Sequence, residues 1–172
     1  DSPEEFPVAV AAQIGDQFLR IQMVRAMAAP GPFSGWQHML RAFAYGARAE
    51  SQDRAIEEAR NAVTEEPELG MAHAYLARAL AGLVAANGEL LDDARKREIQ
   101  MHIQRAMQLE GDNPAVISTL VAAYAGLGEG ETCLRLAQRA VERSPNSPTS
   151  HHMLGAAYLA LGRTADAIAA FA

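Results

Sequence analysis

Apolar residues along this chain recur at intervals of three and four, the spacing that gathers side chains onto one face of a helix. The clearest single run is Val10, Ile14, Phe18, Ile21 and Val24, with Gln13, Asp16, Gln17 and Arg20 spread around the remaining surface. It predicts an amphipathic helix that Ala29-Pro-Gly-Pro-Phe33 ends abruptly, because proline has no amide proton to continue the ladder. No stretch alternates apolar and polar long enough to suggest a strand, β-branched residues are scattered, and alanine, the best helix former, dominates. The pattern predicts an all-α protein.

Beyond the first helix the pattern repeats. Leu120, Tyr124 and Gly128 recur 34 residues on as Leu154, Tyr158 and Gly162, and Ala106 recurs as Ala140. Asn113-Pro114 is echoed by Ser147-Pro148, in each case a capping side chain followed by proline in the first helical position. Gly128 and Gly162 stand where a left-handed residue closes a first helix. Second helices are expected from about Glu131 to Arg143 and from Thr164 onward. Small residues (Cys133, Ala137 and Ala140, then Ala167) fall where two helices must approach closely, and Leu120, Tyr124 and Leu136 fill the gaps beside them. One such hairpin cannot bury its own apolar face, so neighbours must stack.

This pattern resembles the tetratricopeptide repeat. Leu154-Gly155, Tyr158, Gly162, Ala167 and Phe171 fit it closely, and Leu120, Tyr124, Gly128, Cys133, Ala140 and Pro145 fit well, with Val121 in place of the usual glycine. Upstream, Leu76, Ala77, Leu80, Ile99, Ile103 and Ala106 form a looser copy, with about ten extra residues between its helices, Leu83 to Asp93. Ala42, Tyr45, Ala55, Ala59, Ala62 and Pro67 form an earlier one with one inserted residue. The resemblance implies a right-handed superhelical solenoid of about four helical hairpins with an N-terminal capping helix. Residues 1–33 then hold the amphipathic helix and its Pro-rich turn, and residues 34–172 the repeats. The repeats run about 35–67, 68–113 with an insertion near 84–93, 114–147, and 148–172, the last cut short. In this family peptides lie against the concave face of the first helices. Carried over, that face comprises Trp36, Met39, Phe43, Met71, Ala74, Arg78, Ser118, Ala122, Thr149, His152 and Ala156. The Lys and Asn with which chaperone-binding relatives clamp a terminal carboxylate do not stand at these positions.

Charge and chemistry narrow the function. A net charge of −6 over 172 residues argues against sequence-independent nucleic-acid binding. Arg95, Lys96 and Arg97 form one short basic run behind Asp92 and Asp93, as at a solvated helix start. Cys133 is the single cysteine, so neither a disulfide framework nor a thiolate cage is available. His38, His73, His102, His151 and His152 have no partner at the spacing a zinc site needs. His38, His73 and His151 instead share a register on first helices, which suggests a recurring structural position. Gly126-Leu-Gly128-Glu-Gly130 lacks the Lys-Ser/Thr and the preceding strand of a phosphate loop and reads as an interhelical turn. Neither catalytic residues nor a cofactor or metal site is expected; the implied partner is a protein or peptide.

A second resemblance concerns context. The helix Val10-Ala-Ala-Gln-Ile-Gly-Asp-Gln-Phe-Leu-Arg leads to Trp36-Gln-His-Met-Leu-Arg-Ala and Asp53-Arg-Ala-Ile-Glu-Glu-Ala-Arg-Asn-Ala-Val. A long interhelical insertion and Ala106-Met-Gln-Leu follow. This order resembles the C-terminal region of bacterial class III adenylate or guanylate cyclases with tetratricopeptide tails. Some winged-helix transcription regulators share such a tail, and a stand-alone assembly or secretion adaptor is the third reading. Starting at Asp1 without Met, the chain reads as a fragment with no apolar span long enough for a bilayer; the fragment is expected in the cytoplasm, and the targeting of its parent protein stays open. The first helix is expected to cap the first repeat by docking its stripe on Trp36, Met39 and Phe43; pairing with a second copy is the alternative.

Overall fold

A computed structural model describes the backbone of residues 5–87, 92–143 and 145–171, and the side chains of those from residue 17 onward except 49 and 84–87. Among the described residues there are nine α-helices and no strand. In order they are α1 (Glu5–Ala28), α2 (Gly35–Gly46), α3 (Gln52–Glu65), α4 (Gly70–Asn87), α5 (Asp93–Glu110), α6 (Pro114–Gly126), α7 (Gly130–Arg143), α8 (Pro148–Ala160) and α9 (Thr164–Phe171). Helices α2 and α3, α4 and α5, α6 and α7, and α8 and α9 pack as consecutive antiparallel hairpins. The first helix of each hairpin also touches the first helix of the next, α2 to α4 to α6 to α8. This is the stacked solenoid that the recurrence predicts.

The boundaries follow from local chemistry. Asn113 Oδ1 accepts the Ala115 amide proton at 3.0 Å and Ser147 Oγ accepts that of Ser150 at 3.4 Å, each just ahead of the proline that opens α6 or α8. At the far ends Gly128 and Gly162 take φ +73° and +70°. The amides of Glu129 and Arg163 reach back to the carbonyls of Tyr124 (2.9 Å) and Tyr158 (2.8 Å), and those of Gly128 and Gly162 to Ala125 and Leu159. These are Schellman caps, and they explain the Tyr-to-Gly spacing: tyrosine offers the third-last helical carbonyl and glycine the left-handed residue. The first hairpin lacks such a glycine. A 3-10 turn, Ala49–Ser51, connects its helices, and Gln52 Nε2 donates to the carbonyls of Gly46 (3.3 Å) and Arg48 (3.1 Å) instead.

Small residues sit where the helices meet. Ala55, Ala59, Ala62, Ala106, Cys133, Ala137 and Ala167 are almost completely buried. Two apolar clusters result. One spans α2 to α6 and includes Met39, Tyr75, Leu76, Ile99, Val116, Leu120 and Ala123. The other spans α6 to α8 and includes Ile117, Val121, Cys133, Leu134, Met153 and Ala157. The extra residues of the second repeat lengthen its helices, since α4 and α5 have 18 residues each against 13 and 14 for α6 and α7. Residues 88–91 of that insertion lie outside the described part.

One expectation fails. The second half of the α1 stripe does not dock on Trp36, Met39 and Phe43: Phe18, Ile21 and Val24 are 62%, 52% and 69% exposed. Val10 and Ile14 lie outside the residues whose side chains are described. The cause is where α1 is held. Its last turn buries Ala26, and Arg41 of α2 donates from Nη1 to the Ala26 carbonyl at 3.3 Å. The same guanidinium lies 4.4 Å from the Phe33 ring centroid and donates from Nε to Glu58 at 2.7 Å, so the polar corner anchors α1 to α2 and α3. Meanwhile Met39 and Phe43 pack with the α2-to-α6 cluster.

Candidate binding groove

Because the first helices adjoin, α2, α4, α6 and α8 make one continuous face. Trp36 lies at its start, 44% exposed. Phe43 meets Tyr75 edge-on, with ring centroids 4.8 Å apart and planes at 83°, and the Arg78 guanidinium covers the Tyr75 ring at 4.5 Å. Phe43, Tyr75 and Arg78 thus form one ladder across α2 and α4, in which Arg78 is half-buried. Met71 is half-buried too, and Thr119 Oγ1 approaches its sulfur at 3.8 Å, joining α4 to α6. Ser118 and Ala156 are partly exposed, and Ala122, Thr149 and His152 exposed.

Two of the residues carried over to this face are not on it. Met39 is fully buried, and so is Ala74. Met39 and Ala74 instead turn into the apolar cluster that spans α2 to α6. Further along, α4 and α6 approach closely: a Cβ on Gly126 of α6 would come within 3.1 Å of the Ala81 backbone of α4. His152 sits apart from the rest, tilted against Phe171 with centroids 5.6 Å apart. Both line a shallow hollow of about 600 Å³ with Pro145, Pro148, His151 and Ala170, between the α7–α8 turn and the end of α9.

The histidine register has a physical meaning. His73 Nε2 donates to the Pro67 carbonyl at 3.0 Å and His151 Nε2 to the Pro145 carbonyl at 2.6 Å, the same six-residue reach in two repeats. His38 instead pairs through Nδ1 with Glu58 at 2.6 Å. Sequence reasoning missed the partner of His73. His102, on α5 across the insertion, places its Nδ1 2.9 Å from Nδ1 of His73. Spacing gives no hint of this contact, because it depends on how long the two intervening helices grow.

Burial pushes the Cys133 thiol up and away from the reactive thiolate, and its S–H donates to the Val121 carbonyl at 3.4 Å. The Asp92 carboxylate ahead of the basic run caps α5, accepting the Arg95 amide proton at 2.7 Å. Among the described residues no group of three or more His, Cys, Asp or Glu side chains converges on a metal position. Nor is any helix among them long and apolar enough to cross a membrane.

Comparison with known families matches residues 136–169 to a model described as tetratricopeptide repeat. The match begins in α7, runs through α8 and ends in α9, one full period of the recurrence. No curated protein matches the chain.

Proposed function

We propose that the chain is a non-catalytic protein–protein interaction module that holds a peptide or partner segment along the face of α2, α4, α6 and α8. The tetratricopeptide match supports a protein-binding role, and the continuity of that face carries the reading. Trp36, Phe43, Met71, Arg78, Ser118 and Thr149 supply contacts along it: aromatic and thioether surface at the start, a fixed guanidinium, then hydroxyls. Trp36 is the sole tryptophan, so its fluorescence reports directly on occupancy. Peptides selected against the full chain should lose affinity about tenfold with Trp36→Ala or Arg78→Ala, the residue types that dominate interfaces. Met101→Ala, at an exposed methionine on the second helix α5, should leave affinity unchanged. Selected peptides indifferent to Trp36 and Arg78 but sensitive to Met101 would move the site off this face.

The order of elements supports a finer reading, in which the module is the C-terminal regulatory region of a cyclase and acts in signal transduction while nucleotide chemistry resides upstream. A winged-helix regulator tail and a free-standing cytoplasmic adaptor are the competing contexts. The exposed Phe18, Ile21 and Val24 favour pairing of α1 with a second copy. Light scattering should then give a dimeric mass that Ile21→Glu reduces to that of the monomer; a wild-type monomer at high concentration removes this reading and leaves the groove unaffected.

A further inference from the structure

A charged imidazole is costly to bury, yet α4 and α5 bring two histidines into contact inside the second hairpin. His73 and His102 are 7% and 5% exposed, with ring centroids 5.1 Å apart and planes tilted by 40°. Their Nδ1 atoms are 2.9 Å apart, so one must donate and the other accept. The Pro67 carbonyl decides which. It can only accept, and it lies 3.0 Å from His73 Nε2, so the proton of a neutral His73 sits on Nε2 and its Nδ1 is bare. His102 is therefore the Nδ1–H tautomer, donating to His73.

Among the described residues, the two carboxylates that act on the pair are already engaged. Glu68 beside His73 is paired with Arg105, and Glu98 beside His102 with Arg60 of α3 at 2.5 Å. Helix α2 turns its His38 and Arg41 to Glu58, and the one ionisable side chain of α6, Tyr124, is held neutral by burial. A proton on His73 would put a buried cation in the pair, with the bond between the rings kept only if His102 moves its own proton to Nε2. One on His102 would place a buried cation beside an ion pair already complete.

We propose that the His73–His102 contact is an acid-sensitive latch: with both rings neutral it seats α5 on α4, and proton uptake releases the second hairpin. The latch works whatever the groove binds. Burial holds both imidazoles below their ordinary 6.5, His102 at about 4, so the unfolded chain takes up protons first. The contribution is complete above pH 6.5 and is lost as pH falls from there toward 4.

Long-range proton–nitrogen NMR of the full chain at pH 7.5 should find His73 protonated on Nε2 and His102 on Nδ1, and neither ring should titrate near pH 6.5. The melting temperature should fall by roughly 5 °C or more between pH 7.5 and 5.0. His102→Gln, which keeps a donor toward His73 but cannot titrate, should lose clearly less. Either ring titrating near 6.5 in the folded chain, or an equal acid loss in His102→Gln, overturns the latch. If that variant does not fold, the wild-type ring titration decides alone.

Discussion

Gly46→Ala is expected to destabilise the protein by about 3 kcal/mol, although alanine is the better helix former by about 1 kcal/mol. Gly46 is the last residue of α2, and a methyl there would overlap the Tyr75 hydroxyl and lie 3.2 Å from Cζ. Tyr75 cannot yield. It is 1% exposed, its hydroxyl donates to the Ala42 carbonyl at 2.9 Å, Phe43 abuts its ring and Arg78 covers it. Adding Tyr75→Phe removes the overlapping oxygen and should recover part of the loss, whereas Tyr75→Phe alone should cost about 1 kcal/mol for the buried hydrogen bond. Urea denaturation of the three variants measures all of this, and a Gly46→Ala protein as stable as wild type would contradict the packing described.

The second large effect is a coupling. Gly155 on α8 is buried, and a Cβ there would overlap the Phe171 ring at Cε1 and Cζ and lie 2.8 Å from Cδ1. One period earlier the third hairpin has Val121 and Ala137, with the bulk on the other helix of the pair. Both are buried in one apolar cluster, so the departure from the usual glycine at Val121 is compensated by a small residue at Ala137. Gly155→Val alone should cost about 2 kcal/mol by displacing Phe171. Combined with Phe171→Ala it should cost less than the sum of the single changes by about 1 kcal/mol, because the pair then copies the third hairpin. Strict additivity in denaturant melts would show that the two positions do not share space.

The hairpins were legible because their ends are written in local chemistry. Asn113-Pro114, Ser147-Pro148, Gly128 and Gly162 each act within one helical turn, so spacing alone places them. The small residues Ala106, Cys133, Ala137 and Ala167 were legible because a period of 34 sets them facing inward. The groove was only partly legible. Trp36, Phe43, Arg78 and Thr149 do reach the surface, but Met39 and Ala74 vanish into the α2-to-α6 cluster, a tertiary burial that a repeat pattern does not encode. The stripe of α1 failed for a related reason. Periodicity says which side chains share a face, but not which face turns inward, and in the last turn of α1 it is Ala26 that is buried, with Arg41 on its carbonyl.

Helix α6 belongs to both apolar clusters, with Val116, Leu120 and Ala123 in one and Ile117 and Val121 in the other, and Tyr124 packs against both. A linear stack passes stability only between neighbours, so this two-faced helix makes the halves interdependent. Fraying at α8 and α9 strips one flank of α6 and loosens the support that α4 receives from the other. Melting should therefore be cooperative across the stack, and free energy gained by a partner seated at α8 is felt as resistance to opening at α4.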